Sequence, residues 1–389
     1  MYEIGRKEIK AVEKVILSQQ LFRYRGGEGG ECDRFESELC KKICARHSIL
    51  VSGGTGALIC GLVGIDIGPG DEVIVPAYTF MASPLSVVAL GAVPVIAEVD
   101  ESLMIDPADV EKKITRRTKA IMPVHMTGLP ANMNALKKIA RKHNLKIIED
   151  ACQAVGGSYK GRRLATIGDV GAFSFNQFKI IGCGEGGAVV TSRRSVFEKA
   201  LIHHDGGCFS REHVLSTPIF CGWSYRVSEL QGAIMRIQLR RLDRILANLR
   251  ARKRAMFAEL AGSDRYAMSP VNCAKGDCGI VTAIKFESEA LMRAAQKAFQ
   301  AGGITTGSPI DSGIHVYSRW SPILEKRASS HPGRDAYKLT GERYRYSETM
   351  CPRSTAILSS TLTFGTSYSE SVAENRRRAA KARKIIERM

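Results

Sequence analysis

The chain has 389 residues and a net charge of +18, with 44% hydrophobic and 25% charged residues. That balance is typical of a water-soluble globular chain, and the length exceeds what one simple core holds, so a large unit and a smaller one are expected. No stretch reaches the roughly 18 uninterrupted apolar residues of a membrane helix, and Met1 to Lys10 is charged where a secretory leader would be apolar, so a cytoplasmic, membrane-free protein is expected.

Elements alternate along the first 200 residues. Helical spacing runs from Val12 to Leu17. Cys40 and Cys44 would share a helix face, but no Cys or His cluster completes a metal set, and the eleven cysteines are odd in number and scattered. They read as reduced thiols, with no metal site. Ile49 to Val51 is apolar, and Ala57 to Gly64 reads as a helix after a Gly-rich turn. Glu72 to Val75 is a strand after the turn Gly68-Pro69-Gly70-Asp71, followed by a helix over Pro84 to Leu90 and a strand over Val93 to Ile96. Ala120 to Val124 reads as a strand, Met133 to His143 as a helix and Lys146 to Ile148 as a strand. Short apolar strands separated by amphipathic helices imply a parallel sheet covered on both faces, with ligands at the carboxyl ends of the strands.

The pattern changes near Ser228. A long helix runs towards Leu260, then a strand over Gly279 to Lys285 and a helix over Glu289 to Ala301. Ser308 to Ser347 is irregular and polar, with Pro309 and Pro332, and a last helix covers Tyr368 to Arg388. The boundary is placed near residue 245, giving a large unit over 1–245 and a smaller α+β unit over 246–389.

Much of the positive charge lies on two of these helices. One carries Arg236, Arg240, Arg241, Arg244, Arg250, Arg252, Lys253 and Arg254; the other carries Arg376, Arg377, Arg378, Lys381, Arg383 and Lys384. Neither shows interleaved aromatics or a nucleic-acid-binding motif. They read first as solvated faces and next as a field attracting phosphorylated substrates.

Four segments carry chemistry. Ser52-Gly53-Gly54-Thr55-Gly56 opens a helix, where free N–H groups and the Thr55 hydroxyl suit an anion; alone, such a turn is common. Glu149-Asp150-Ala151-Cys152-Gln153 follows a strand. Asp150 suits the anion that pyridoxal phosphate (PLP) needs beside its pyridine nitrogen, and Gln153 a donor to the ring oxygen, although an isolated strand-end Asp is more often a helix cap. Gly168 to Phe175 is strand-like and leads to Lys179 and the turn Gly184-Glu185-Gly186-Gly187. A lysine there is badly placed as a surface charge and well placed to bond an aldehyde, and Ser174, five residues earlier, can reach a phosphate. Pro76-Ala77-Tyr78-Thr79-Phe80 offers an aromatic to stack on a planar ring, or to pack in the core.

Together these segments resemble the DegT/DnrJ/EryC1/StrS family of PLP-dependent sugar aminotransferases. The similarity also takes in Ile4-Gly5, Leu21 to Tyr24, Gly68 to Pro76, Pro123 to Gly128, Tyr225-Arg226 and Glu229 to Ala233. The resemblance implies the fold type I aminotransferase architecture, a seven-stranded-type, mostly parallel sheet with a smaller C-terminal domain, and a homodimer with shared active sites. It implies that Lys179 binds the cofactor aldehyde and shuttles a proton. Asp150 would pair with the pyridine nitrogen, Gln153 with the ring hydroxyl, and Phe80 would stack on the ring. Gly54, Thr55 and Ser174 would hold the phosphate, with Ser224 reaching it from the neighbouring subunit. His125, in the Pro-Val-His segment, and Arg226 would lie on the substrate side; as a bare feature His125 reads as structural.

Three positions depart from the family's pattern. Gly53 replaces the serine of its Ser-Gly-Thr, removing one donor. Ser224 replaces the asparagine of Asn-x-Arg and is shorter. Ser360 replaces an arginine of one branch and is read as a change on the substrate side. The implied reaction moves an amino group from glutamate or glutamine to a keto sugar, nucleotide-linked or otherwise anionic, with the loops Cys208 to Ile219 and Ser308 to Ser347 shaping the acceptor site. Three alternatives stay open: another PLP reaction on the same fold, including dehydration, in whose branch a histidine replaces the lysine; a non-catalytic binding module; and nucleic-acid binding.

Overall fold

The computed structural model of the protein describes residues 3–24, 29–208, 215–331, 333, 335–340, 344–366 and 368–389. Residues 209–214 of the Cys208–Ile219 loop, and 332, 334 and 341–343 of the Ser308–Ser347 stretch, lie outside the described residues.

In chain order the first half holds α1 (Arg6–Ser18), α2 (Glu31–Ile43), β1 (His47–Val51), α3 (Gly54–Gly64), β2 (Glu72–Pro76), α4 (Ala82–Val88), β3 (Val93–Ala97), α5 (Pro107–Lys112), β4 (Thr118–Ile121), α6 (Met133–Lys142) and β5 (Lys146–Asp150). There follow β6 (Ser158–Tyr159), β7 (Arg162–Arg163), β8 (Val170–Ser174), β9 (Gly187–Thr191), α7 (Arg194–His204), α8 (Glu229–Leu260), β10 (Ala267–Met268), β11 (Val281–Lys285), α9 (Glu289–Ala301), α10 (Ser321–Leu324), α11 (Ala336–Leu339), α12 (Pro352–Ser359), β12 (Thr361–Gly365) and α13 (Val372–Ile386).

The large sheet has seven strands in the order β1-β9-β8-β5-β4-β2-β3. The pairs from β3 across to β8 are parallel, and β9 is antiparallel to both β8 and β1. The carboxyl ends of β1, β2, β5 and β8 therefore open on one edge. β2, β8 and β9 are buried along their whole length, which is why they read as apolar runs without alternation. The one acid in β2, Glu72, is tied down by Thr115, Thr118, Arg117 and Tyr344.

The Ala120–Val124 strand is shorter than its apolar run. It ends at Ile121, and Val124 makes only an isolated bridge to Asp150. β12 completes a small antiparallel sheet, β10-β11-β12, and was not among the expected elements. Its sequence Thr-Leu-Thr-Phe-Gly alternates β-branched and apolar residues, a short strand signal, and it pairs in register with β11. Cys44 caps α2 in a left-handed conformation instead of sharing a helix face with Cys40, and all eleven cysteines are free.

Two hydrophobic clusters divide the interior, and α8 runs through both: Leu249 belongs to the larger cluster, Met256 and Leu260 to the smaller. The C-terminal segment does not all follow the small cluster. Tyr317, Trp320 and Tyr337 return to the larger one, and part of the stretch expected to be irregular forms short helices there. The basic face of α8 is not simply solvated. Arg236 pairs with Glu31 and Glu38, Arg241 with Glu8 and Arg244 with Glu3, so the charges clamp α1 and α2 onto α8. Among the described residues no helix is long and apolar enough to cross a membrane.

Candidate active site

The open edge of the sheet surrounds a cavity of about 130 Å³, lined among others by Gly54, Thr55, Phe80, Asp150, Gln153, Ser174 and Lys179. Seven residues scattered over 126 positions of sequence are thus brought to one place by four parallel strands ending together.

The cavity's floor on one side is the start of α3. Gly53 is the extended residue before the helix and offers no side-chain cap. The first helical bond is the Ala57 N–H to the Gly53 carbonyl at 2.9 Å. The N–H groups of the first turn therefore remain for an anion, backed by the helix dipole. Gly54 is required by close approach: a Cβ there would lie 2.8 Å from Ser174 Cβ and 3.0 Å from Cys152 Sγ. Gly53 is not, since a Cβ would meet nothing within 4 Å. The fold has room for the serine that the resemblance leads one to expect.

Asp150, the last residue of β5, is 5% exposed. Its Oδ1 accepts the Cys152 N–H at 3.1 Å and its Oδ2 the Ser83 hydroxyl at 2.7 Å. Gln153 Oε1 accepts the Thr127 N–H at 2.9 Å, which turns the amide NH₂ to the cavity. Lys179 stands half-buried on a loop closed at both ends by backbone bonds, Phe175 to Gly186 at 2.7 Å and Cys183 to Phe175 at 2.9 Å. Burial, then the charge of Asp150, push the Cys152 thiol well above its usual 9, against a smaller pull from Lys179. It is thereby a poor nucleophile beside a lysine. Among the described residues no His, Cys, Asp and Glu cluster suits a metal.

Four of the residues singled out in the sequence lie outside the cavity lining. His125 is fully buried behind the site: its Nδ1 accepts the Ala131 N–H at 3.1 Å, so Nε2 donates to Glu149 at 3.1 Å. With both ring nitrogens engaged it is placed as a support rather than a substrate contact. Arg226 pairs with Asp205 at 2.8 Å and covers the Phe22 ring, outside the cavity lining. Ser224 is exposed and bridges to Asp205. Ser360 is buried at the end of α12, with its hydroxyl on the Ala356 carbonyl, and is not part of the cavity lining.

Residues missed from the sequence are Ser83 and Thr79 beneath Asp150, Cys152 in the lining, and His315, whose ring lies 5.4 Å from that of Phe80. His315 arrives because the segment after the small unit pairs with the end of β2, Tyr317 N–H to Ala77 at 2.9 Å. Only a spacing of one helical turn between Thr79 and Ser83 could have signalled their pairing.

Comparison with known proteins agrees with this geometry. The chain is 40% identical over 256 residues, 65% of its length and 65% of the relative's, to a dTDP-3-amino-3,4,6-trideoxy-alpha-D-glucose transaminase of Streptomyces venezuelae. The match thus spans less than two thirds of that relative. In structure it is similar to 3-amino-5-hydroxybenzoic acid synthase, with TM-score 0.82, 26% identity and coverage of 100% of this chain and 98% of the other. It is also similar to DesV of S. venezuelae in complex with a ketimine intermediate, with TM-score 0.78, 30% identity and coverage of 98% and 95%. The architecture is that of the fold type I aminotransferases. Residues 2–321 match the DegT/DnrJ/EryC1/StrS aminotransferase family, to which the chain belongs.

Proposed function

We propose that the protein is a PLP-dependent aminotransferase that moves an amino group from glutamate or glutamine to a keto sugar carried on a nucleotide or another anion. The observation that carries the reading is the meeting of Lys179 and Asp150 in one cavity with Ser174 and the uncapped start of α3. These residues fit the cofactor. The N–H groups of α3, Thr55 and Ser174 suit a phosphate, the Gly54 cradle would be closed by a Cβ, and Asp150 and Gln153 present an acceptor and a donor on the same side.

Bound there, PLP supplies an electron sink for the carbanion formed at the amino donor's α-carbon. Lys179 would hold the cofactor's aldehyde carbon and would serve as the base that takes up and returns the donor's proton. Asp150 would keep the ring nitrogen protonated and balance its charge. Gln153 would donate to the ring oxygen, and Phe80 would cover the ring. The loop that carries Lys179 fixes its reach, because its two ends are bonded to each other.

A homodimer with shared sites is supported by exposed aromatic side chains. Phe178 beside Lys179, Trp223 beside Ser224, and Phe22 against Arg226 are all more than half exposed. Such a partner would bring its Ser224 towards the phosphate. A reducing, cytoplasmic setting is supported by the eleven free cysteines. A second reading keeps the same residues and replaces the sugar by a carbocyclic keto acceptor; the likeness to 3-amino-5-hydroxybenzoic acid synthase favours it. The test is single-turnover amination, followed by absorbance and by mass spectrometry of the product, with glutamate and glutamine as donors and dTDP-linked keto sugars or keto-cyclitols as acceptors. Product from either acceptor class assigns it, and failure of both donors to change the absorbance sinks the transaminase reading.

A further inference from the structure

Asp150 has a side-chain partner that the reading above leaves without a role. Ser83, in the first turn of α4, places its hydroxyl 2.7 Å from Asp150 Oδ2, and Thr79 Oγ1 lies 2.7 Å behind it. Thr79 Oγ1 also lies 3.4 Å from the Phe80 carbonyl. Both hydroxyl residues are fully buried, where an unbonded hydroxyl is costly and an alanine or valine would pack without that cost.

We propose that Ser83 is a positioning residue for the reaction: with Thr79 it forms a hydroxyl chain that holds the Asp150 carboxylate as an anion aimed at the cofactor's ring nitrogen. The inference rests on the reading of the cavity as a PLP site. An ionised carboxylate only accepts, so the Ser83 proton goes to Asp150 and the Ser83 oxygen accepts from Thr79. Thr79, where the chain starts, directly precedes Phe80, the residue expected to stack on the ring.

Other groups around Asp150 do not duplicate this. Lys179 and Glu185 face it across the cavity, and Cys152 and Gln153 follow it on the next turn. The His125–Glu149 pair lies behind, on the other side of β5. Among the described residues Ser83 is the hydroxyl bonded to the Asp150 carboxylate, and Cys152 adds its backbone N–H and a thiol beside the carboxylate.

The experiment is a pH titration of the visible absorbance of the PLP-loaded protein, for the natural chain and for Ser83→Ala, Thr79→Val and Thr79→Ser. A protonated ring nitrogen withdraws electrons from the linkage to Lys179 and makes it easier to deprotonate. Loss of the Ser83 donor moves the shared proton towards Asp150, so the titration midpoint rises. A hydrogen bond to a charged group predicts a rise of about one pH unit and about tenfold weaker PLP binding in Ser83→Ala. Thr79→Val shows a smaller rise and Thr79→Ser none, while the cofactor-free variants still unfold cooperatively, Ser83→Ala at a somewhat lower temperature because Asp150 Oδ2 loses its donor. A visible band in the natural protein with an unmoved midpoint in both Ser83→Ala and Thr79→Val overturns this inference alone. Absence of the band in the natural protein overturns the PLP reading and this inference with it.

Discussion

Glu149 and Asp150 are neighbours on β5 whose carboxylates serve opposite sides of the strand. Asp150 lines the cavity, while Glu149 is fully buried beneath it, accepting the N–H groups of Ala165, Ile167 and Gly168 and the Nε2 proton of His125. Strand alternation accounts for the division, since successive side chains point to opposite faces. The consequence is that one acid is presented to the cavity while the other holds the loop leading into β8, and so Ser174 and Lys179, in place.

Removing the buried acid is therefore a stability change. Glu149→Ala strands His125 and three backbone donors, at a cost of about 3–5 kcal/mol. Denaturant unfolding of the cofactor-free protein measures it. A loss below about 1 kcal/mol contradicts the role as a tie.

Removing the charge of the cavity acid is a chemical change. Asp150→Asn keeps the shape and loses the anion, so the first half-reaction with glutamate or glutamine slows about 100-fold or more. The cofactor-free protein keeps a similar unfolding temperature. Stopped-flow absorbance reads the rate, and a slowing of less than about threefold contradicts the assignment.

The two glycines before α3 predict opposite results. Gly53→Ser adds a hydroxyl where a Cβ meets nothing within 4 Å and strengthens PLP binding several-fold. Gly54→Ala drives a methyl against Ser174 and Cys152, and such overpacking costs about 1–3 kcal/mol. Binding titrations of the two variants give the comparison, and equal affinities would show that the first turn of α3 does not hold the phosphate.

Glu198 gives a pH signature distant from the site. Burial favours its neutral form, but bonds from Arg194, Thr217 and the Ser216 N–H outweigh this and hold its carboxyl down at about 2, against the usual 4.5. A group depressed on folding stabilises the protein above its unfolded value and loses that contribution as pH falls through the folded one. Glu198→Gln should thus unfold more easily than the natural chain at pH 6, and the gap should close between about 4.5 and about 2. A gap that stays constant over that range contradicts the sign.

Much of this was legible in the sequence because it was local. The β2 and β5 runs, the glycines before α3 and the loop around Lys179 each carry their own turn or apolar signal, and their order places Lys179, Asp150, Ser174, Gly54 and Thr55 on one edge of a sheet. What stayed hidden depends on distant partners. His315 reaches Phe80 only because the chain returns to pair with the end of β2, and the cations of α8 look solvated until α1 and α2 close on them. The burial of Ser360 has no local signal either, because it follows from α12 packing Ile357 and Leu358 into the larger cluster.

The most direct measurement is an absorbance spectrum of the purified protein with saturating PLP, taken beside Lys179→Ala. The account predicts a visible band in the natural protein, lost in the variant, that glutamate or glutamine abolishes in the first and cannot affect in the second. A natural protein with no such band, or a variant that keeps it, would contradict the assignment of Lys179 and with it the proposed chemistry of the cavity.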